Sequence, residues 1–232
     1  MATLGKSISF NSVVLGIFAL ITASLLAGTY LGTKDRIADA KREVAKRALL
    51  EIIPLEQHSN DLLMDTLPVP ANFLHTLGLD DEGGDINIAR EGDEPIAVIV
   101  PAVAPDGYNG DIQLIVGINI DGTLAGVRTI SHHETPGLGD KIDLKKSDWI
   151  LGFNGKSLTN PPPSQWKVKK DKGDFDQFTG ATITPRAVVK QVYKTLKYYN
   201  EDQERLLKAA RKKPAVTHQT SEEANNGSYQ LT

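Results

Sequence analysis

Hydrophobic and polar positions divide the chain into stretches of different character. From Ser7 to Thr33 no residue is charged, and "VVLGIFALITASLLAGTYL" (13–31) is apolar enough to span a membrane. Nineteen helical residues at 1.5 Å each reach roughly 28 Å, close to the ~30 Å hydrocarbon core of a bilayer. The run is longer than the ~7–15 apolar residues of a typical cleaved signal peptide. A retained membrane anchor over residues 1–33 is therefore expected, with cleavage the alternative. In "KDRIADAKREVAKRALLEIIP" (34–54) the apolar residues Ile37, Val44, Ala48 and Leu49 fall near helical spacing, and Pro54 ends the run. That pattern predicts a juxtamembrane helix over 34–56.

Residues 57–95 are polar and rich in Asp, Gly and Pro, which predicts irregular structure around a short strand at "DINIAR" (85–90). "PIAVIVPAV" (95–103) and "DIQLIVGINI" (111–120) then read as strands, bounded by "APDGYNG" and by Asp121-Gly122. With "TLAGVRTISH" (123–132) the second strand forms a hairpin across that Asp-Gly turn. Pro161–Pro163 mark a loop. A last helix is expected from Pro185, with Thr184 as N-cap and proline at the first helical position. Val188, Val192, Leu196 and Tyr199 form its apolar stripe. The expected architecture is α+β: one N-terminal transmembrane helix, then a domain over 57–210 with a mainly antiparallel sheet and flanking helices. Residues 211–232 turn polar and poor in aromatics, which predicts a disordered tail.

Composition narrows the chemistry. A formal charge of −3 gives no basic surface for nucleic acid. The chain has no cysteine, which excludes disulfides, thiolate-held iron–sulfur clusters and thioether haem attachment. Charge settles orientation poorly. Six basic residues lie between Lys34 and Arg47, against Lys6 and the amino terminus on the other flank. That count alone would leave the C-terminal domain cytoplasmic, but three acids are mixed in, and long domains translocate largely regardless of such charges.

Candidate chemistry concentrates in "GDFDQFTGATITPRAVVKQV" (173–192), where Thr179, Thr182 and Thr184 crowd around Gly180 just before the helix. A helix N-terminus offers unpaired N–H groups and a positive dipole end to an anion, and Gly180 permits a tight turn beside it. Thr182 would then be a hydroxyl held next to a phosphate site. The plainer reading is that Thr184 caps while the other two fill a turn. Two rivals elsewhere are weaker. "GLGD" (137–140) lacks the third glycine and the strand–helix context of a dinucleotide fingerprint. "HHE" (132–134) offers at most His132 and Glu134 on one face of a strand, short of the three or four ligands zinc needs.

"DQFTGAT" (176–182) matches the flavinylation pattern D-x-x-(S/T)-G-A-T. "APDGYNGDIQLIVG" (104–117), "HHETPGLGDKI" (132–142) and "SDWI" (147–150) resemble the G subunit of the Rnf (Rsx) ion-translocating electron-transport complex. The C subunit of the sodium-translocating NADH:quinone reductase is a more distant relative. The resemblance implies FMN bound covalently to Thr182 through a phosphoester, with Thr179, Gly180 and Ala181 forming the turn around the phosphate. It implies that Glu134, Thr135, Gly137, Leu138 and Gly139 lie against the flavin, Leu138 touching the ring. Asp176 is implied to serve recognition by a flavin transferase.

Lys169 and Lys170 could steady the phosphate, although a solvated strand edge is the ordinary reading of such a pair. No side chain is expected to be catalytic and no metal is expected. The implied function is electron relay within a complex that couples ferredoxin/NAD electron transfer to ion movement. Its implied partners are the other subunits, a flavin transferase and membrane lipid. The implied location is the inner membrane, with the FMN domain periplasmic. The alternatives are the equivalent quinone-reductase subunit and a non-redox anchored binding module.

Overall fold

The computed structural model describes residues 2–81 and 83–213; of the tail expected over 211–232, residues 214 onward lie outside the described residues. The chain divides into two compact units, Met1–Val44 and Ala45–Thr232. The first unit is helical. Helix α1 (Ala2–Ile52) runs without a break through both the apolar stretch and the charged stretch after it. The juxtamembrane helix expected after the anchor is the end of this same helix. The residues at 34–52 are mostly good helix formers, and nothing there breaks the backbone ladder. Phe18, Leu20, Leu25 and Leu31 are all exposed on α1, the signature of a helix that meets an apolar solvent. The hydroxyls of Thr22, Thr29 and Thr33 donate to the carbonyls of Phe18, Leu25 and Thr29 at 2.8, 2.7 and 2.8 Å. These internal bonds leave no unpaired hydroxyl hydrogen on those threonines facing lipid. Among the described residues this is the one helix long and apolar enough to cross a membrane.

The second unit is built on a five-stranded antiparallel sheet in the simple order β1-β2-β3-β4-β5. Its strands are β1 (Thr66–Pro68), β2 (Asp85–Glu91), β3 (Glu94–Gly107), β4 (Gly110–Asn119) and β5 (Leu124–Ser131). Val100, Val116 and Val127 align across β3, β4 and β5. Alternation puts Val98, Val100, Ile112, Leu114, Val116 and Ile118 on one face. Against that face lies the long helix α3 (Ile183–Lys212), whose Val188, Val192, Leu196 and Tyr199 are buried. A short helix α2 (Leu74–Leu77) sits beside it. The other face is covered by the last turns of α1, through Leu49, Ile52 and Ile53 against Ala89, Ala97 and Ile99. Arg128 fixes that contact, donating to the Glu51 carboxylate at 3.0 Å and the Glu51 carbonyl at 2.9 Å.

Between β5 and α3 the chain forms 3-10 turns around an aromatic cluster. Phe153 stacks on Phe175 at 4.7 Å, and Trp149 meets Phe178 edge-on at 5.1 Å. The indole N–H of Trp149 donates to the Asp176 carbonyl at 2.8 Å. Burying Phe178 to 6% exposure is worth about 1.5–3 kcal/mol. It also pins the residue from which the "TGAT" turn departs. The aromatic packing thus stabilises the backbone immediately beside the candidate site.

Candidate cofactor site

Two glycine turns face one another at the start of α3. In the first, the Ala181 N–H bonds the Phe178 carbonyl at 3.2 Å, with Thr179 and Gly180 as the central residues. Gly180 has φ of +83°, a conformation that glycine adopts without strain at this turn position. In the second, the Leu138 N–H bonds the Thr135 carbonyl at 3.1 Å across Pro136 and Gly137. Leu138 stands at its tip, 42% exposed, and its Cδ2 would lie 3.5 Å from a Cβ placed on Gly180.

Between these turns and the tip of the β3–β4 hairpin lies a cavity of 310 Å³. Of the sequence-expected site residues, Glu134, Thr135, Leu138, Gly139, Gly180, Ala181 and Thr182 line it together. Thr179 and Gly137 lie in the turns behind the wall. Asp176 is exposed and pairs with Lys169 at 2.7 Å. Lys169 and Lys170 do not line the cavity. They belong to a 3-10 turn at Lys169–Asp171, where a strand edge was expected. The local hydrogen bonds back to Val168 and Lys169 close a turn there instead.

The helix begins two residues before its expected start. Thr182 occupies the N-cap position of α3 and makes no side-chain capping bond. Thr184, expected to be the cap, lies inside the first turn and is fully buried. Proline is tolerated anywhere in a first turn, because those N–H groups have no partner within the helix. Pro185 therefore does not mark the first helical residue. The hydroxyl of Thr184 donates instead to Oε2 of Glu134. Glu134 is 5% exposed, and its Oε1 accepts the Asn109 backbone N–H at 3.1 Å. One carboxylate thus ties the β3–β4 hairpin tip, the 134–139 loop and the first turn of α3.

Gly139 closes this lock. A Cβ there would meet Glu134 Oε2 at 2.7 Å and Thr184 Oγ1 at 2.9 Å. The "HHE" segment is organised by the same residue. The Glu134 N–H donates to His132 Nδ1 at 3.1 Å, while its carboxylate points to Asn109 and Thr184.

The cavity's chemistry follows from its lining. At one wall are the first-turn amides of α3, where Ile183 and Thr184 present N–H groups and the helix dipole is positive. Tyr108, Leu138 and Ile183 supply apolar surface and are 63%, 42% and 46% exposed. No cation lines it among the described residues. The nearby cations are engaged elsewhere: Arg186 grips Asp171 at 2.6 Å through two nitrogens, and Lys190 pairs with Asp106 at 2.5 Å. These bonds lower the pKa of both Asp106 and Asp171 and raise that of Arg186. The residues present suit a ligand with a phosphate at one end and a flat apolar body at the other. Tyr108, Asn109, Ile183 and the lock role of Thr184 were missed in sequence. Tyr108 and Asn109 sit inside the "APDGYNG" block, whose tight Gly107-to-Gly110 return was the available signal.

An antiparallel sheet backed by one long helix, with this cavity at the helix N-terminus, agrees with the comparison to known families. Residues 107–197 match the FMN-binding domain family, and residues 1–52 match the RnfG N-terminal region. The G subunit of the ion-translocating oxidoreductase complex of Vibrio atlanticus is 48% identical over 202 residues, covering 87% of this chain and 95% of the relative. Its counterpart in Pseudomonas aeruginosa is 50% identical over 202 residues, covering 87% and 93%. The counterpart in Shewanella loihica is 48% identical over 202 residues, covering 87% and 94%. The chain is a membrane-anchored protein with an FMN-binding domain. It belongs to the family of G subunits of ion-translocating oxidoreductase complexes.

Proposed function

We propose that this chain holds FMN as a phosphoester on Thr182 and relays electrons as the flavin subunit of a membrane complex. That complex would couple ferredoxin/NAD electron transfer to ion translocation. The carrying observation is the placement of Thr182: it lines the cavity beside the free amides of α3, and its hydroxyl serves no capping bond. The phosphate would lie against the Ile183 and Thr184 amides, which favour negative charge without any lysine. Leu138, Ile183 and Tyr108 would support the apolar ring, and the Glu134 lock holds the walls in place. FMN supplies one- and two-electron redox chemistry when bound, while the protein positions it and tunes its surroundings. Because attachment would run through the phosphate, no side chain needs to act as acid or base. Denaturing-gel fluorescence and intact mass, from cells with and without a flavin transferase, test this reading. A chain that carries no flavin when the transferase is present would sink it.

Two expected results arise here. Asp176 lies outside the cavity, is exposed and pairs with exposed Lys169, so it contributes little to folding. Its carboxylate is assigned to recognition by the transferase. Asp176→Ala is expected to lose covalent flavin in cells while leaving thermal unfolding of the chain made without the transferase unchanged. Retained flavin in that variant would rule the assignment out. The FMN domain is placed on the periplasmic side of the inner membrane, against the basic flank at Lys34–Arg47. A phosphatase fused at Thr232 should be active, whereas a fluorescent reporter that matures only in the cytoplasm should stay dark. The reverse pattern would invert the topology.

A further inference from the structure

A second concavity, of 500 Å³, runs along the outer side of α3 and is lined by Trp166, Lys167, Arg186, Lys190, Tyr193 and Lys194 among others. Its floor is aromatic: Trp166, 5% exposed, stacks on Tyr193 with centroids 5.3 Å apart. Its walls are cationic. Arg186, Lys190, Lys194 and Lys197 recur at intervals of three and four residues, so they share one face of α3. Lys167, Lys170 and Lys172 come from the facing turn and the residues beside it.

The available acids are already committed, Asp171 to Arg186 and Asp106 to Lys190. Among the described residues Lys167, Lys170, Lys172 and Lys194 have no ion-pair partner. A chain of net charge −3 thus keeps a basic, aromatic-floored groove. The groove adjoins the cofactor cavity. Arg186 follows Ile183 by one helical turn, and Asp106, held by Lys190, is two residues from Tyr108 on the hairpin that lines the cavity.

We propose that this groove is the docking surface for an acidic face of another subunit of the complex, an inference that rests on the functional reading above. Unpaired lysines around recessed aromatics match the anatomy of a protein interface, with Trp, Tyr and Arg at its centre and charge at its rim. Charge complementarity selects a carboxylate-rich partner. A lipid headgroup surface would be met by protruding apolar groups, whereas Trp166 lies at the bottom of a concavity. The docked subunit would sit beside the cavity mouth, where electrons must enter or leave.

The test uses the full-length chain in three settings: alone in neutral phosphatidylcholine vesicles, alone in vesicles containing phosphatidylglycerol, and in the intact complex. Lysine acetylation is read by mass spectrometry, and zero-length carbodiimide coupling of amines to carboxylates is run on separate, unacetylated samples. The Lys190–Asp106 pair serves as the internal coupling control. Lys167 and Lys194 are expected to acetylate freely in both vesicles, to be protected in the complex, and to couple to Asp or Glu of another subunit.

In Lys167→Glu/Lys194→Glu, covalent flavin and the internal Lys190–Asp106 coupling should persist while intersubunit coupling at the remaining Lys170 and Lys172 is lost. Equal acetylation in the complex would overturn the proposal, as would protection by phosphatidylglycerol alone. So would unchanged intersubunit coupling at Lys170 and Lys172 in the variant. If the chain carries flavin and co-purifies with the complex while these lysines stay reactive, docking alone has failed. A chain without flavin or partners would instead indict the underlying reading.

Discussion

Thr182→Ala is expected to give a folded, membrane-embedded chain that carries no covalent flavin. Three threonines compete for the role, and their surroundings separate them. Thr179 is exposed in the Phe178–Ala181 turn and does not line the cavity. Thr184 is fully buried and commits its hydroxyl to Glu134. Thr182 lines the cavity, is half-buried, and has no capping bond to lose. Removing its hydroxyl therefore leaves no buried group unpaired, and stability of the chain made without the transferase should move by less than about 0.5 kcal/mol. Thr182→Ser keeps the nucleophilic oxygen and is the control for flavin loading. Intact mass should fall by the whole FMN adduct in the alanine variant, and in-gel fluorescence should vanish. Peptide mass spectrometry of the wild-type chain should place the adduct between Gly180 and Arg186. An adduct on Thr179 or Thr184, or one that survives Thr182→Ala, would refute the assignment.

The elements that depend on local period were legible in the sequence. Apolar runs bounded by turn residues marked β2, β3, β4 and β5, the Asp-Gly turn joined the last two, and the spacing of Val188, Val192, Leu196 and Tyr199 identified the buried stripe of α3. Features decided by distant contacts were not. The start of α3 was misjudged because a threonine before proline reads as a cap, whereas the hydroxyl of Thr184 is drawn inward by a carboxylate fifty residues away. Glu134 was placed against the flavin by resemblance, but nothing in its neighbourhood showed which donors its carboxylate serves. The three-residue strand β1 is too short and proline-ended to stand out, and its pairing to β2 is what defines it.

Glu134→Ala is expected to have the largest effect on folding of any single change around the cavity. The side chain is buried and accepts two bonds, from the buried Thr184 hydroxyl and from the Asn109 amide at the exposed hairpin tip. An orphaned buried donor costs about 1–3 kcal/mol, and the exposed Asn109 amide can turn to water, so the alanine variant should lose about 1–3 kcal/mol. Glu134→Gln distinguishes the lock from simple volume. Its single carbonyl oxygen can serve only one of the two donors, and its amide hydrogens then face the other, so it should fall between wild type and alanine. Thr184→Val removes one donor while keeping the shape, and in that background Glu134→Gln should be much milder. Non-additivity of this kind marks a direct interaction.

The measurement is denaturant unfolding of the detergent-solubilised full chain made without the transferase, so that bound flavin does not contribute to stability. Flavin loading provides a second readout, because the lock joins the hairpin tip, the 134–139 loop and the first turn of α3. With transferase present, flavin incorporation should fall in the order wild type, Glu134→Gln, Glu134→Ala, even in variants that remain folded in the membrane. Additive effects of Glu134→Gln and Thr184→Val on stability would show that the carboxylate and hydroxyl do not act as a unit. The cavity's shape would then have to be held by the two glycine turns alone.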